Sequence, residues 1–351
     1  MGLGEKIELN FIMLFHLRFG TIIILDSNMK VLFVCSGNSN FGISPIIKTQ
    51  GESLRNNGVK LDYFAIKGKG LRGYLRNIPK LKKFLKLNKY DIIHAHYGFC
   101  GIVSQFARTN EKLIVSFMGN DLYGILNNRN KQTTLGRFNI LLSKFLSYFP
   151  ERIIVKSYYM YNYIPIYNQK KTFIIPNGVD FGIFKPYPLN KAREKLKLNK
   201  AKKYILFLGD KNEIRKNYSL LLESMKYLKY LEVEILCPFP KSHEKIPVYI
   251  NAANVLILLS KREGSPNVIK EAMACNCPIV STDVGDVKEV IGKTEGCYIT
   301  SFDPKDVAEK IKMALDFGKR TNGRDHIKHL EINNIAKKII NIYEHVLNIR
   351  Y

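Results

Sequence analysis

The sequence predicts an α/β protein of two consecutive domains, each a parallel sheet with helices on both faces. Three observations predict it. From residue 29 onward, short apolar runs alternate with helical patterns, the signature of parallel strands joined by helices. A length of 351 residues suits two domains. The two series of strands are separated at Pro186-Tyr187-Pro188, where prolines disfavour regular structure.

The first series reads as strands at Val31–Cys35, Leu61–Ile66, Ile92–Ala95, Leu113–Phe117, Ile153–Val155 and Phe173–Ile175, with helices such as Ile46–Leu54 and Leu135–Leu146 between them. The second reads as strands at Tyr204–Leu208, Val233–Leu236, Val255–Leu259, Ile279–Ser281 and Cys297–Thr300. A last helix is expected from Ile332 to Leu347. The expected division is an N-terminal domain over 29–185, a C-terminal domain over 186–331 and a terminal helix within 332–351. Residues 1–28 do not share the strand and helix alternation of the rest of the chain. Because Met29 opens the first strand, they are expected to be upstream sequence, the alternative being an interfacial segment made of Phe11–Leu25. That segment is interrupted by His16, Arg18 and Gly20 and is too short to span a membrane.

Six cysteines are scattered without a Cys-x-x-Cys, so buried thiols in a reducing compartment are expected. The formal charge is +25. Residues 29–185 hold 24 Lys and Arg against 7 Asp and Glu, net +17. Residues 63–90 hold nine basic residues and no acidic one, interleaved with Leu81, Phe84 and Leu85. This reads as a basic amphipathic segment suited to an anionic membrane surface. Nucleic acid is the rival partner and a core-facing surface helix the plain alternative.

The stretch 254–290 carries the chemistry. A buried strand, a polar loop through Ser260–Glu263 and a helix with Ser265 as N-cap and Pro266 at its first position place Glu263 and Glu271 around a helix N-terminus. Ligands bind open α/β sheets at the carboxyl ends of strands, and helix N-termini attract phosphate. Glu-Gly-Ser-Pro-Asn-Val-Ile-Lys-Glu-Ala-Met-Ala, followed by Cys-Pro-Ile-Val-Ser-Thr-Asp-Val-Gly, resembles the donor-site motif of glycosyltransferase family 4, the retaining group 1 transferases of GT-B fold. The resemblance covers residues 29 to about 350.

It implies two Rossmann-like domains facing a cleft, with the terminal helix crossing back to the first. It implies transfer of a sugar from a UDP-sugar or GDP-sugar to a glycan or lipid-linked acceptor, in cell-surface polysaccharide synthesis. No cofactor and no metal are implied, nor any nucleic-acid partner. A cytoplasmic protein, peripheral at the inner face of the plasma membrane, is the expected setting. Glu271 would hold the ribose and Glu263 would face the transferred sugar. The N–H groups around Asn267 and Val268, beside Gly264, would take phosphate. Lys216, in Lys216-Asn217, matches the family's diphosphate lysine. The family's arginine has no direct match, because Asp210 follows Gly209; Lys211 and Arg215 are the candidate substitutes.

In the first domain, Gly42 follows the opening strand, with Gly37 as second candidate. His96 of His94-Ala95-His96 and Asp121 of Met118-Gly119-Asn120-Asp121 are candidate catalytic groups, and Met118 stands where the family has histidine. Asn177 in Asn177-Gly178-Val179-Asp180 belongs at the cleft, and Gly285 is a close-approach glycine near the donor. Met118 and Asp210 keep open an inactive nucleotide-sugar or glycan-binding homologue. An epimerase of the same fold is a further alternative.

Overall fold

The computed structural model describes residues 29–348 apart from residues 41, 126, 128–130 and 240–242. The readings of residues 1–28 fall outside the described residues. In chain order, the first domain comprises β1 (Lys30–Ser36), α1 (Pro45–Asn56), β2 (Lys60–Ile66), α2 (Gly70–Leu75), α3 (Ile78–Leu87), β3 (Ile92–His96), α4 (Gly98–Ala107), β4 (Lys112–Ser116), α5 (Asn120–Tyr123), α6 (Thr134–Leu146), β5 (Arg152–Val155), α7 (Tyr158–Tyr161), α8 (Ile166–Gln169) and β6 (Thr172–Ile174). There follow α9 (Leu189–Lys195), β7 (Lys203–Phe207), α10 (Tyr218–Met225), β8 (Val233–Leu236), α11 (Ile246–Ala252), β9 (Val255–Leu258), α12 (Asn267–Ala274), β10 (Ile279–Thr282), α13 (Val287–Ile291), β11 (Cys297–Thr300), α14 (Pro304–Asp316), α15 (Gly323–His326) and α16 (Ile332–Leu347).

Each series makes its own sheet, in the orders β2-β1-β3-β4-β5-β6 and β11-β10-β9-β7-β8. Every strand pairing is parallel. The sequence dictates this, because β3 and β9 are buried along their whole length, as strands covered on both faces must be. In each sheet the first strand lies between the second and third. The order therefore reverses at β1/β3 and at β7/β9, and a crevice opens at the carboxyl ends of those strands. The loops carrying Gly42, Lys216 and Glu263 leave from these ends, and His96 is the last residue of β3.

Helix α16 returns to the first domain. Tyr343 on it meets His94 of β3, with 2.6 Å between the hydroxyl and Nδ1, and Asn57 after α1 donates to Asn333 at 3.3 Å. Val179 and Glu331 form a parallel bridge, so the chain leaving the first domain is stitched to the segment entering α16. A single apolar cluster runs from Phe33 of β1 through Ile335 and Ile339 of α16 to Leu256 of β9 and Met273 of α12.

The basic stretch 63–90 takes in the end of β2 and then forms α2 and α3. Leu81 and Leu85 are buried, and Phe84 packs against the same core. Leu81, Phe84 and Leu85 thus belong to the domain interior, as the core-facing alternative has it, while Leu87 of the same helix is exposed. All six cysteines are free. Burial pushes the Cys35, Cys275 and Cys297 thiols up to about 12, which keeps them protonated and unreactive. Among the described residues, no helix is long and apolar enough to cross a membrane.

Candidate active site

Strand β9 delivers its chain to the crevice at Leu259 and Ser260, both buried. The loop then turns so that the Glu263 carboxylate points back over the strand end. Three donors converge on one of its oxygens, Oε1: Lys216 Nζ at 2.7 Å, Arg215 Nη1 at 2.5 Å and Ser260 Oγ at 2.8 Å. Arg215 is held in turn by Glu213 at 2.8 Å and by the Arg262 carbonyl at 3.2 Å. Burial pushes the Glu263 carboxyl up. The Lys216 ammonium and the Arg215 guanidinium more than reverse this, and it lies below the ordinary Glu range. Glu263 is therefore a carboxylate anchored between two cations.

Lys216 ends a 3₁₀ turn over Ile214–Lys216. Its stem lies along Gly209, where an added Cβ would sit 3.2 Å from Lys216 Cγ. Lys211 is elsewhere: it is exposed, with Nζ 5.2 Å from the centre of the Tyr218 ring. Of the two candidate partners for Lys216, the structure brings Arg215 to Glu263 and leaves Lys211 outside.

Helix α12 starts one residue later than expected. Its N-cap is Pro266, without a side-chain cap. The Ser265 hydroxyl is used elsewhere, donating to Asp286 Oδ2 at 2.7 Å. That carboxylate also pairs with Lys270 at 2.9 Å. Asn267 and Val268 head the helix, whose first N–H groups have no partner within it. Asn267 Oδ1 accepts from Asn177 Nδ2 at 3.0 Å, which ties the linker to this helix start. Glu271 lies one turn further on and is buried.

Two glycines shape this loop. Gly285 has φ +64°, and a Cβ there would lie 2.7 Å from the Gly264 carbonyl oxygen. At Gly264 a Cβ would meet Met160 Sδ at 3.0 Å and the Met118 carbonyl at 3.3 Å. Both domains thus close on the Glu263–Gly264 peptide. Gly42 has φ +70° with nothing within 4 Å of an added Cβ, so conformation, not crowding, calls for glycine there. At Gly37, by contrast, an added Cβ would lie 3.1 Å from Ala65 Cβ.

The first-domain candidates are arranged differently from expectation. Asp121 is buried, and its oxygens accept from the N–H groups of Gly98 at 3.1 Å, Met118 at 3.0 Å, Gly119 at 2.8 Å and Leu122 at 3.2 Å. It shapes the loop after β4 and has little left to offer a reacting group. His96 is fully buried, and neither ring nitrogen has a hydrogen-bond partner. Burial, then His94 and Lys156, lower its pKa well below the ordinary value, so it is neutral. Its ring lies 4.3 Å from those of His94 and Phe33.

Facing Glu263 across the crevice are Tyr97, Met118, Gly119, Asn120 and Tyr123, around a cavity of about 210 Å³. Tyr97 has φ +93°, a strained conformation for a non-glycine residue. Nothing in the residue type signals it. Arg262 crosses the cleft to the Tyr123 carbonyl at 2.6 Å. A larger cavity of about 500 Å³ opens on the other side of Glu263, past Tyr158, Tyr159, Arg262 and Gly285. Lys156, at the end of β5, is 1 % exposed, and its ammonium has no hydrogen-bond partner. Burial and the nearby Lys270 bring it down to about 8. Among the described residues, no group of three or more His, Cys, Asp or Glu could hold a metal ion.

Comparison with known proteins agrees with this fold. The sequence model described as Glycosyltransferase Family 4 matches residues 46–182, and the one described as Glycosyl transferases group 1 matches residues 232–316. An uncharacterized glycosyltransferase of Methanocaldococcus jannaschii is 25% identical over 271 residues, 68% of this chain and 73% of that protein. Sucrose-phosphate synthase from Thermosynechococcus elongatus superimposes with a TM-score of 0.76 at 18% identity, covering 92% of this chain and 100% of that one. Anabaena HepE in complex with UDP and glucose gives 0.68 at 17% identity, covering 90% and 99%. These likenesses establish the GT-B fold.

Proposed function

We propose that this chain, which belongs to the group 1 glycosyltransferases of family 4, moves a sugar with retention of configuration from a nucleoside-diphosphate sugar to a glycan or lipid-linked acceptor, in the making of a cell-surface polysaccharide. The observation that carries this reading is the convergence of Lys216 and Arg215 on Glu263 beside the start of α12. Two cations and a helix N-terminus are what a diphosphate requires. When it enters, the cations turn from Glu263 to phosphate oxygens, and the freed carboxylate faces the hydroxyls of the transferred sugar. Glu271 accepts from the ribose hydroxyls. The same cations stabilise the diphosphate as it leaves, so no metal is called for.

With Glu263 unprotonated, His96 sealed in the interior and Asp121 engaged by backbone N–H groups, transfer proceeds by displacement on one face. The acceptor oxygen bonds to the anomeric carbon as the carbon–phosphate oxygen bond breaks, and the departing phosphate takes the acceptor proton. A second reading, binding without transfer, is favoured by Met118 at the cavity and by the engagement of Asp121 with backbone.

The test is thermal stabilisation by UDP, GDP and their sugars, with magnesium or with EDTA, followed by product analysis with labelled donor. A shift with one nucleotide class that is insensitive to EDTA is expected, and it should fall about tenfold or more in affinity in Glu271→Ala. No shift with any nucleotide would sink the reading. A shift without labelled product, across glycan and lipid-linked acceptors, would leave the binding homologue.

A further inference from the structure

Helix α6 is packed inside out. Its inward face consists of Gly136, Asn139, Ser143 and Leu146. It lies close on α4, where added Cβ atoms at Gly98 and Gly101 would come within 2.8 Å of Ser143 Oγ and 2.6 Å of Leu146. Its outward face, with the turn after it, carries Leu135, Phe138, Leu141, Phe145, Tyr148 and Phe149, and Leu141 and Phe145 are 66% and 60% exposed. At 100° per residue the four of them on the helix, Leu135, Phe138, Leu141 and Phe145, span about 120° of one face, and Tyr148 and Phe149 extend it into the turn. A contiguous exposed apolar stripe of this kind marks an interaction surface.

Charge decides the partner. Residues 122–150 contain Arg129, Lys131, Arg137 and Lys144 and no acidic residue. Arg137 and Lys144 stand exposed on α6 beside the stripe. An apolar face flanked by cations, with tyrosine among its aromatics, suits the interface of an anionic bilayer. We infer that α6 docks this protein on an anionic lipid surface, with the stripe at the level of the headgroups. The helix is tethered to the cleft: Gln132, just before it, donates to the Tyr123 carbonyl at 2.6 Å, and Tyr123 lines the cavity opposite Glu263. Docking through α6 therefore sets the cleft beside the membrane, where a lipid-linked acceptor would be reached. The surface itself stands whether or not the chain transfers sugar.

The chain has no tryptophan, so Phe145→Trp provides a single emission probe. Vesicles of equal parts phosphatidylglycerol and phosphatidylcholine should shift its emission to the blue, and brominated acyl chains should quench it. Co-sedimentation with the same vesicles should weaken about tenfold or more in Phe138→Ser/Phe145→Ser and stay unchanged in Leu87→Ser, which alters an exposed leucine of α3. Preserved stabilisation by nucleotide would show the double variant to be folded. Unshifted Phe145→Trp emission with vesicles, or co-sedimentation equal in the double variant and the parent, would overturn the inference. So would a blue shift without vesicles accompanied by a dimer in light scattering, which would make a second copy the occupant.

Discussion

Replacing Lys216 by methionine removes a charge and leaves a stem of similar length. In the free protein its ammonium bonds Glu263 at 2.7 Å, and the two side chains are 15% and 13% exposed. A hydrogen bond to a charged group contributes about 1.5–3 kcal/mol, so removing one such bond to phosphate would, taken alone, weaken binding roughly 10- to 150-fold. The ammonium is not idle beforehand, however: binding diphosphate means leaving Glu263. The net loss should therefore lie at the lower end, about tenfold in Kd. Glu263→Gln makes the complementary test. It removes the charge that competes for the cations, so diphosphate affinity should hold or tighten by up to about tenfold, while transfer falls because the sugar hydroxyls meet one neutral amide oxygen where they had a charged carboxylate. Titration calorimetry with UDP and GDP on the parent, both single variants and the double variant gives the coupling between the two side chains directly. If Lys216→Met stays within about twofold of the parent, or if Glu263→Gln weakens binding as much as Lys216→Met does, Glu263 is not standing in for phosphate and no exchange of partners takes place.

Other consequences are equally open to measurement. Gly285→Ala places a methyl group 2.7 Å from a backbone oxygen at φ +64°. It should cost about 1–3 kcal/mol in urea unfolding and disturb the Glu263–Gly264 peptide; an unchanged midpoint would mean that the loop accommodates the methyl group. Tyr343→Phe deletes the buried hydroxyl that meets His94. It should cost about 1–3 kcal/mol and speed amide exchange along α16, whereas unchanged exchange would show that the helix is anchored elsewhere. The folded-state pKa of Glu263 is depressed by Lys216 and Arg215 against the push of burial. Its contribution to stability is thus fully present above the ordinary Glu range and is lost as pH falls through the depressed value. Urea midpoints of parent and Glu263→Gln should converge with acidification below that range; parallel curves would contradict the depressed value.

Much of the fold was legible because strand, loop and helix are punctuated in the sequence. The run Val255–Leu258 can only be a covered strand, and Pro266 marks the helix after it. Both observed sheets contain the runs of apolar residues that suggested them. Spacing also located the crevice, since Glu263 sits where the strand order reverses. Side-chain engagement was not legible. Lys211 and Arg215 are equivalent as charges, and only the 3₁₀ turn over Ile214–Lys216 decides which of them reaches Glu263. Asp121 reads as a free carboxylate until the chain folds around it and four backbone N–H groups claim its oxygens.

Periodicity has the same blind spot, and it bears on where the protein works. It reveals that a helix has two faces but not which face is inside. Lys-rich α3 and the less conspicuous α6 are both amphipathic, yet they are mounted in opposite senses. In α3 Leu81 and Leu85 go inward. In α6 the glycines of α4 let Ser143 and Leu146 come close, and the small or polar Gly136, Asn139 and Ser143 go inward with Leu146, while Phe138 and Phe145 are left outward. Net charge alone points to residues 63–90, whereas charge together with exposed apolar area points to α6. An electrostatic attraction without insertion weakens steeply with salt, while an inserted aromatic face persists. Vesicle binding that survives about 0.5 M salt, where the screening length is only about 4 Å, would favour α6; binding abolished by salt would return the weight to the lysines of α2 and α3.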